Sequence, residues 1–115
     1  MTTTATSPFY ILLDDDRTVV NVDPQAFHAW VVDRVAKKHS FRPRLAADTV
    51  GPYWISTVFT GVTTSLPPNP LELWETAVFK SGDDDSPKIV GRYATYAEAK
   101  AGHQGAVDLC RARIA

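Results

Sequence analysis

Apolar and polar residues change period several times along the chain, and each change marks an element. The runs FYILL (9–13) and RTVVNV (17–22) are β-prone and flank Asp14, Asp15 and Asp16, which predicts a hairpin with an acidic turn. The triplet lacks the spaced acceptors and the glycine of a calcium loop, so it reads as solvated turn residues and not as a ligand set. In DPQAFHAWVVDRVAKK (23–38) the period lengthens to that of a helix. Phe27, Val31 and Val35 recur on one face with Val32 beside them, and Trp30 lies toward the edge of that face. Asp23 stands at the N-cap, Pro24 at the first helical position and lysines at the end, the order expected of helix signals.

RLAADTV (44–50) and YWISTVFTG (53–61) are separated by Gly51 and Pro52, a turn signal, so they predict a second hairpin. VTTSLPPNP (62–70) is a proline-rich connector, too rigid for a flexible linker. LELWETAVFK (71–80) and KIVGRYA (88–94) are strands on either side of the turn SGDDDSP. Thr95 with Glu98 three positions later forms a capping box for a second helix running to about Arg113. The order predicts an α+β fold: an antiparallel sheet of about five to six strands with two helices packed on one face. Residues 1–8 are expected to be a flexible tail and residues 9–115 a single domain.

Composition narrows the function classes. The 115 residues, 44% hydrophobic and 22% charged, are those of one globular domain with one core. A formal net charge of −1 gives no general attraction to phosphate or anionic lipid, so nucleic-acid binding needs a local patch. One candidate patch is Arg34, Lys37, Lys38, Arg42 and Arg44, a segment without an acid; cations at a helix C-terminus also simply offset the macrodipole. Cys110, the lone cysteine, has no intramolecular disulfide partner, fits a reducing compartment and reads as a small core residue. No basic start with a long apolar stretch marks a secretory signal, and no apolar run approaches the ~20 residues that span a bilayer. A cytoplasmic protein without a membrane partner is the expectation.

Catalytic signatures are missing: no glycine-rich phosphate loop, no paired histidines on a helix, no G-x-S-x-G elbow. His28, His39 and His103 have no spacing of metal ligands, and neither a metal nor a cofactor is expected. One constellation remains. Strand alternation over 71–80 groups Leu71, Leu73, Glu75, Ala77 and Phe79 on the more apolar face, which should meet the helices, and places Glu72, Trp74, Thr76, Val78 and Lys80 opposite. Glu75 then needs a partner under the helices. In the second helix Ala99, His103, Ala106 and Cys110 share a stripe, so His103 is the expected partner, with Thr57 and Tyr93 as further candidates. Such a pair is a structural network or, alternatively, the centre of an enzyme or small-ligand site in which the carboxylate orients an imidazole. No nucleophile or oxyanion loop is evident beside it, so the structural meaning leads. The same alternation makes Trp74 an exposed aromatic and the preferred protein-binding anchor, with Trp30 and the loop residues Leu66, Pro67, Pro68, Asn69 and Pro70 as further candidates.

YWISTVFTG, PLELWETAVF and RYATYAEAKAGH, in that order, resemble segments of small uncharacterised proteins of tailed bacteriophages, including phages of actinobacteria. Those proteins read as a tryptophan-containing strand ending in STVFxG, then ETxVF, then an arginine-tyrosine strand leading into an EAxxGH helix. The likeness covers Trp54 to His103. In the family the first strand is often followed by an aspartate-histidine pair; VTTS (62–65) stands there in this chain, so a site needing that pair is not carried over. The resemblance implies a phage origin and a life in the cytoplasm of the infected bacterium, and it supplies no established activity. Small nonstructural phage proteins often act by binding a host protein, so a host or phage protein is the expected partner, in host takeover or anti-defence, with a homodimer as a further possibility.

Overall fold

The computed structural model describes residues 7–38, 42–63 and 71–114. In chain order they form β1 (Phe9–Leu12), β2 (Val19–Val22), α1 (Pro24–Lys38), β3 (Arg44–Val50), β4 (Tyr53–Phe59), β5 (Trp74–Lys80), β6 (Lys88–Tyr93) and α2 (Tyr96–Ile114). The fold is α+β and all strand pairing is antiparallel, but the strands divide into two sheets: the hairpin β1-β2, and a four-stranded meander in the order β3-β4-β5-β6. This corrects the expectation of one sheet of five to six strands. Gly61 shows why the sheet breaks. Its φ of +74° turns the chain out of the line of β4, and a Cβ there would stand 2.9 Å from a Phe27 ring carbon, so only glycine fits. The turned segment then meets the hairpin, with the Tyr10 N–H donating to the Gly61 carbonyl at 2.8 Å and Thr63 N–H to the Pro8 carbonyl at 3.0 Å. Ser7 and Pro8, expected in the tail, are thus part of the fold: the Ser7 hydroxyl accepts the Phe9 N–H and the Asn21 amide donates to the Ser7 carbonyl.

The helices also divide. Only α2 packs across the meander, touching all four strands, while α1 packs on β1. The two therefore do not lie side by side on one face as expected. The reason is the aromatic chain on α1. Phe27 stacks on Phe9 at 4.9 Å, and Trp30 reaches Phe59 edge-on at 6.0 Å. A buried indole removes more apolar area than a valine, so it rotates the helix: Val32 and Val35 end 54% and 47% exposed while Phe27, Trp30, Val31 and Arg34 turn inward. Both caps form. Asp23 Oδ1 accepts the Ala26 N–H at 2.7 Å; Thr95 Oγ1 accepts the Glu98 N–H at 3.1 Å and donates to Glu98 Oε1 at 3.0 Å. No helix of the described residues is long and apolar enough to cross a membrane.

In the β1-β2 turn Asp15 works as a local cap. Its Oδ1 accepts the N–H groups of Arg17 and Thr18, and its Oδ2 accepts the Thr18 hydroxyl at 2.5 Å. The Thr18 side-chain bond, then these backbone bonds, hold the carboxyl at about 2, below its ordinary 3.8. A lowered folded value means that the turn's contribution is complete above about 3.8 and is lost as pH falls toward 2. Thr18→Val is expected to return the Asp15 carboxyl toward 3.8, read by carboxyl-carbon NMR titration. An unmoved titration would show that the backbone bonds alone hold it.

On the α2 side of the meander the core forms two apolar clusters, the first completed by Tyr10 and Leu12 of β1. One gathers Tyr10, Leu12, Phe59, Leu73, Trp74 and Ala99; the other gathers Val50, Ile55, Ala106, Val107 and Cys110. Close approach of α2 depends on small residues. The Tyr93 ring lies where a Cβ on Gly91 or Gly102 would be, so these two glycines form its slot between β6 and the helix.

Candidate functional site

The phase of β5 decides which residues enter the core, and it is opposite to the sequence expectation. Thr57 pairs with Thr76 and Phe59 with Trp74, which turns the even-numbered residues of β5 toward α2. Trp74 is 1% exposed, with its ring 5.0 Å from Phe59 and 6.4 Å from Tyr96. It is a core residue and not an exposed anchor. Glu75 faces away from α2, where its Oε2 accepts from Arg92 Nε at 3.2 Å, so the Glu75–His103 pair does not form. Two of the leucines that made the odd-numbered face look apolar, Leu71 and Leu73, precede the strand. Without them the large indole outweighs Ala77 and Phe79.

His103 instead bridges two other elements. Its Nε2 stands 2.7 Å from Asp48 Oδ2 on β3 and its Nδ1 stands 2.7 Å from Thr57 Oγ1 on β4, which is 2.6 Å from Thr76 Oγ1 on β5. The carboxylate only accepts, so Nε2–H donates to Asp48; Nδ1 is then free to accept from the Thr57 hydroxyl, which accepts from Thr76. Every polar atom of this row is satisfied in one direction. In order, carboxylate, imidazole and hydroxyl match the parts of a nucleophile triad. Access does not: Thr57 and Thr76 are both fully buried, and only Asp48, half exposed, opens to solvent. A substrate has no route to the hydroxyl, so the row is a closed polar layer between the two apolar clusters.

The other face of the meander is different. Pairing places Trp54, Ser56 and Val58 of β4 beside Phe79, Ala77 and Glu75 of β5, with Thr49 and Ala47 of β3 and with Ile89 and Arg92 of β6 at the flanks. Trp54 and Phe79 stack at 4.9 Å. Arg44 pairs with Val58 in register yet holds its guanidinium 5.3 Å over the Trp54 ring, so its side chain folds back along the face across Ser56, which is only 6% exposed. Arg92 sits between Glu75 at 3.2 Å and Glu72 at 3.8 Å. The result is an aromatic pair and a row of small residues, bordered by charges. Trp54, Val58 and Phe79 are partly exposed and Ile89 is 42% exposed.

The remaining candidates scatter. Trp30 is half-buried between Phe27 and Phe59. Of the basic segment, Arg34 is held by Asp16 at 3.4 Å, Lys37 by Asp33 at 3.2 Å, and Arg44 by Trp54; Arg42 is exposed, and the Lys38 side chain lies outside the described residues. Among the described residues, Arg34, Lys37 and Arg44 are thus each engaged with a different partner. Leu66, Pro67, Pro68, Asn69 and Pro70 also lie outside the described residues. Sequence reasoning missed Asp48 and Trp54. Asp48 had a signal, as the one acid inside the strand RLAADTV. Trp54 had none, because the two faces of YWISTVF are equally apolar and only the neighbouring strands choose between them. Comparison with protein-family profiles, with curated proteins and with solved structures gave no significant match.

Proposed function

We propose that this chain is a binding module that engages a host or phage protein through the open face of the meander. The observation that carries the reading is the Trp54–Phe79 stack on a sheet face turned away from α2. The solvated face of an antiparallel sheet is ordinarily polar, whereas this one presents two aromatic rings, Val58 and Ile89 inside a border formed by Arg44, Glu75 and Arg92. Aromatic anchors within a polar rim are the composition of protein interfaces. The resemblance to small phage proteins supports a partner in the cytoplasm of an infected bacterium, where such a module serves host takeover or anti-defence by occupying its target. No chemistry is required of it.

Capture from infected-cell lysate by tagged protein is expected to recover a reproducible partner. Trp54→Ala should weaken that capture about tenfold, the effect of losing roughly 1.4 kcal/mol at an anchor, while Val35→Ala on exposed α1 leaves it unchanged. Circular dichroism of each variant checks folding. Capture indifferent to Trp54→Ala removes this face from the interface, and recovery of no partner at any stage of infection removes the reading. Sedimentation equilibrium covers the homodimer: a dimer lost in Trp54→Ala assigns the face to a second copy instead.

A further inference from the structure

On the α2 side of the meander, where the last turns of the helix run out over β5 and β6, a cleft of about 320 Å³ opens. Its walls are apolar, formed by Val78 and Val90 from the strands and Ala106, Leu109 and Cys110 from the helix. Val90 and Leu109 are 54% and 68% exposed, so the cleft is flanked by hydrophobic surface left in water. Its rim is cationic: Lys80, Lys88 and Arg113 against a single acid, Asp83. Among the described residues none of these three cations is ion-paired with a carboxylate; Lys80 instead holds its ammonium 5.8 Å from the Tyr53 ring. The loop backbone beside the rim is tied down. Ser86 Oγ accepts the Lys80 N–H at 2.7 Å, and the Ser81 N–H donates to the Pro52 carbonyl at 2.9 Å, which pins the β5-β6 loop over the cleft.

These two features make separate demands. An uncharged apolar ligand would cover Val90 and Leu109 but crowd three unpaired cations; a small inorganic anion would answer the cations and leave the apolar walls wet. We propose that the cleft binds a small amphiphilic anion, an apolar carboxylate whose head meets Lys80, Lys88 and Arg113 and whose body lies against Val90, Leu109 and Cys110. The volume is at the lower end of the roughly 300–1,000 Å³ of small-ligand pockets, so the occupant is a single short chain or ring and not a two-chain lipid. Its apolar walls lie on the opposite side of the meander from Trp54, while Lys80 and Ser86 at the rim also border Trp54 and Phe79, so the two proposals are tested by separate variants.

Decanoate is the probe, with decan-1-ol as its uncharged counterpart, acetate as a head without a body, and vesicles of equal parts phosphatidylglycerol and phosphatidylcholine as the lipid-surface alternative. Backbone amide NMR titration of the full chain is expected to show saturable shifts from decanoate in residues 78–80, 88–90 and 106–113, and none from acetate. Neutralising two exposed cations in Lys80→Gln/Lys88→Gln should weaken decanoate about tenfold, with decan-1-ol unaffected. Leu109→Glu, on an exposed position that the fold does not need, should abolish the shifts. Val35→Ala, on the exposed face of α1, should leave them unchanged. Equal affinity for decanoate and decan-1-ol would overturn the proposal, as would shifts spread over the whole surface. Binding to the vesicles without saturable binding of free decanoate would assign the patch to a membrane surface and equally overturn it.

Discussion

Trp74→Ala is expected to cost the domain about 3–5 kcal/mol, the range for deleting a fully buried tryptophan. Set against a total stability of about 5–15 kcal/mol for domains in general, that leaves a marginal fold. Trp74 is 1% exposed and closes the larger cluster, with Phe59 on one side and Tyr96 on the other, so its removal leaves a cavity that β4, β5 and α2 all line. Trp54→Ala on the opposite face is expected to cost less: its ring pair with Phe79 accounts for about 0.5–1.5 kcal/mol, to which its contact with Arg44 and the burial of only part of the ring add. Urea unfolding of the two variants separates them, provided that the slope of stability against urea is unchanged. Equal losses from the two substitutions would show that the phase of the meander is not the one described. The comparison also bears on function, because an anchor for a partner must be removable without unfolding its own domain.

The elements were legible because their signals are local. Asp23 and Pro24 start α1, Thr95 and Glu98 start α2, Gly51 and Pro52 turn β3 into β4, and each of these is a backbone or side-chain preference acting within four residues. What each element faces is a non-local choice, and there the sequence was read with the wrong phase. In LELWETAVFK both alternation sets carry apolar residues, and the outcome turned on where the strand begins and on one indole. A slip of one residue exchanges the faces of a whole strand, so that single misreading put Trp74 on the surface in place of Phe79 and put Glu75 in the core. His103 was legible as a polar residue on the packed stripe of α2, because helical phase is less easily inverted, but its expected partner was Glu75, with Thr57 only a further candidate beside Tyr93. Asp48 was not connected to them, being 55 positions away on a strand where it is the one acid. An open sheet face was implied by placing both helices on one side, but which residues it carries followed from the strand phase and was read wrongly with it.

His103→Ala is expected to destabilise by at least about 1–3 kcal/mol, because it leaves the fully buried Thr57 and Thr76 hydroxyls without the acceptor that ends their chain. Asp48→Ala should cost less, about 0.5–1.5 kcal/mol, since its half-exposed carboxylate is replaced by water at the open end of the row. The informative variant is the one that removes all three buried groups together. Thr57→Val/Thr76→Val/His103→Leu fills the layer with apolar atoms of similar shape and is expected to be more stable than His103→Ala, because no buried donor or acceptor is left unpaired. Denaturant melts of Thr57→Val, His103→Leu and the pair then give a coupling energy, expected at about 0.5–3 kcal/mol for residues in direct hydrogen bond. Strict additivity would show that the 2.7 Å contact contributes nothing. If the triple variant keeps its stability, the layer is retained for what it excludes. Along β4 it separates Ile55 from Phe59, and along β5 it separates Trp74 from Val78, so an apolar strip on either strand is interrupted by a threonine at the same level. A one-residue slip of β5 would set Glu75 or Ala77 opposite Thr57, taking the Thr76 hydroxyl out of the row and, with Glu75, turning a carboxylate toward the core. The same slip is what an all-apolar layer permits. The triple variant is therefore expected to show amide exchange broadening along β5 and β6 that the wild type lacks, and sharp single amide signals in that variant would deny the layer its role in fixing register.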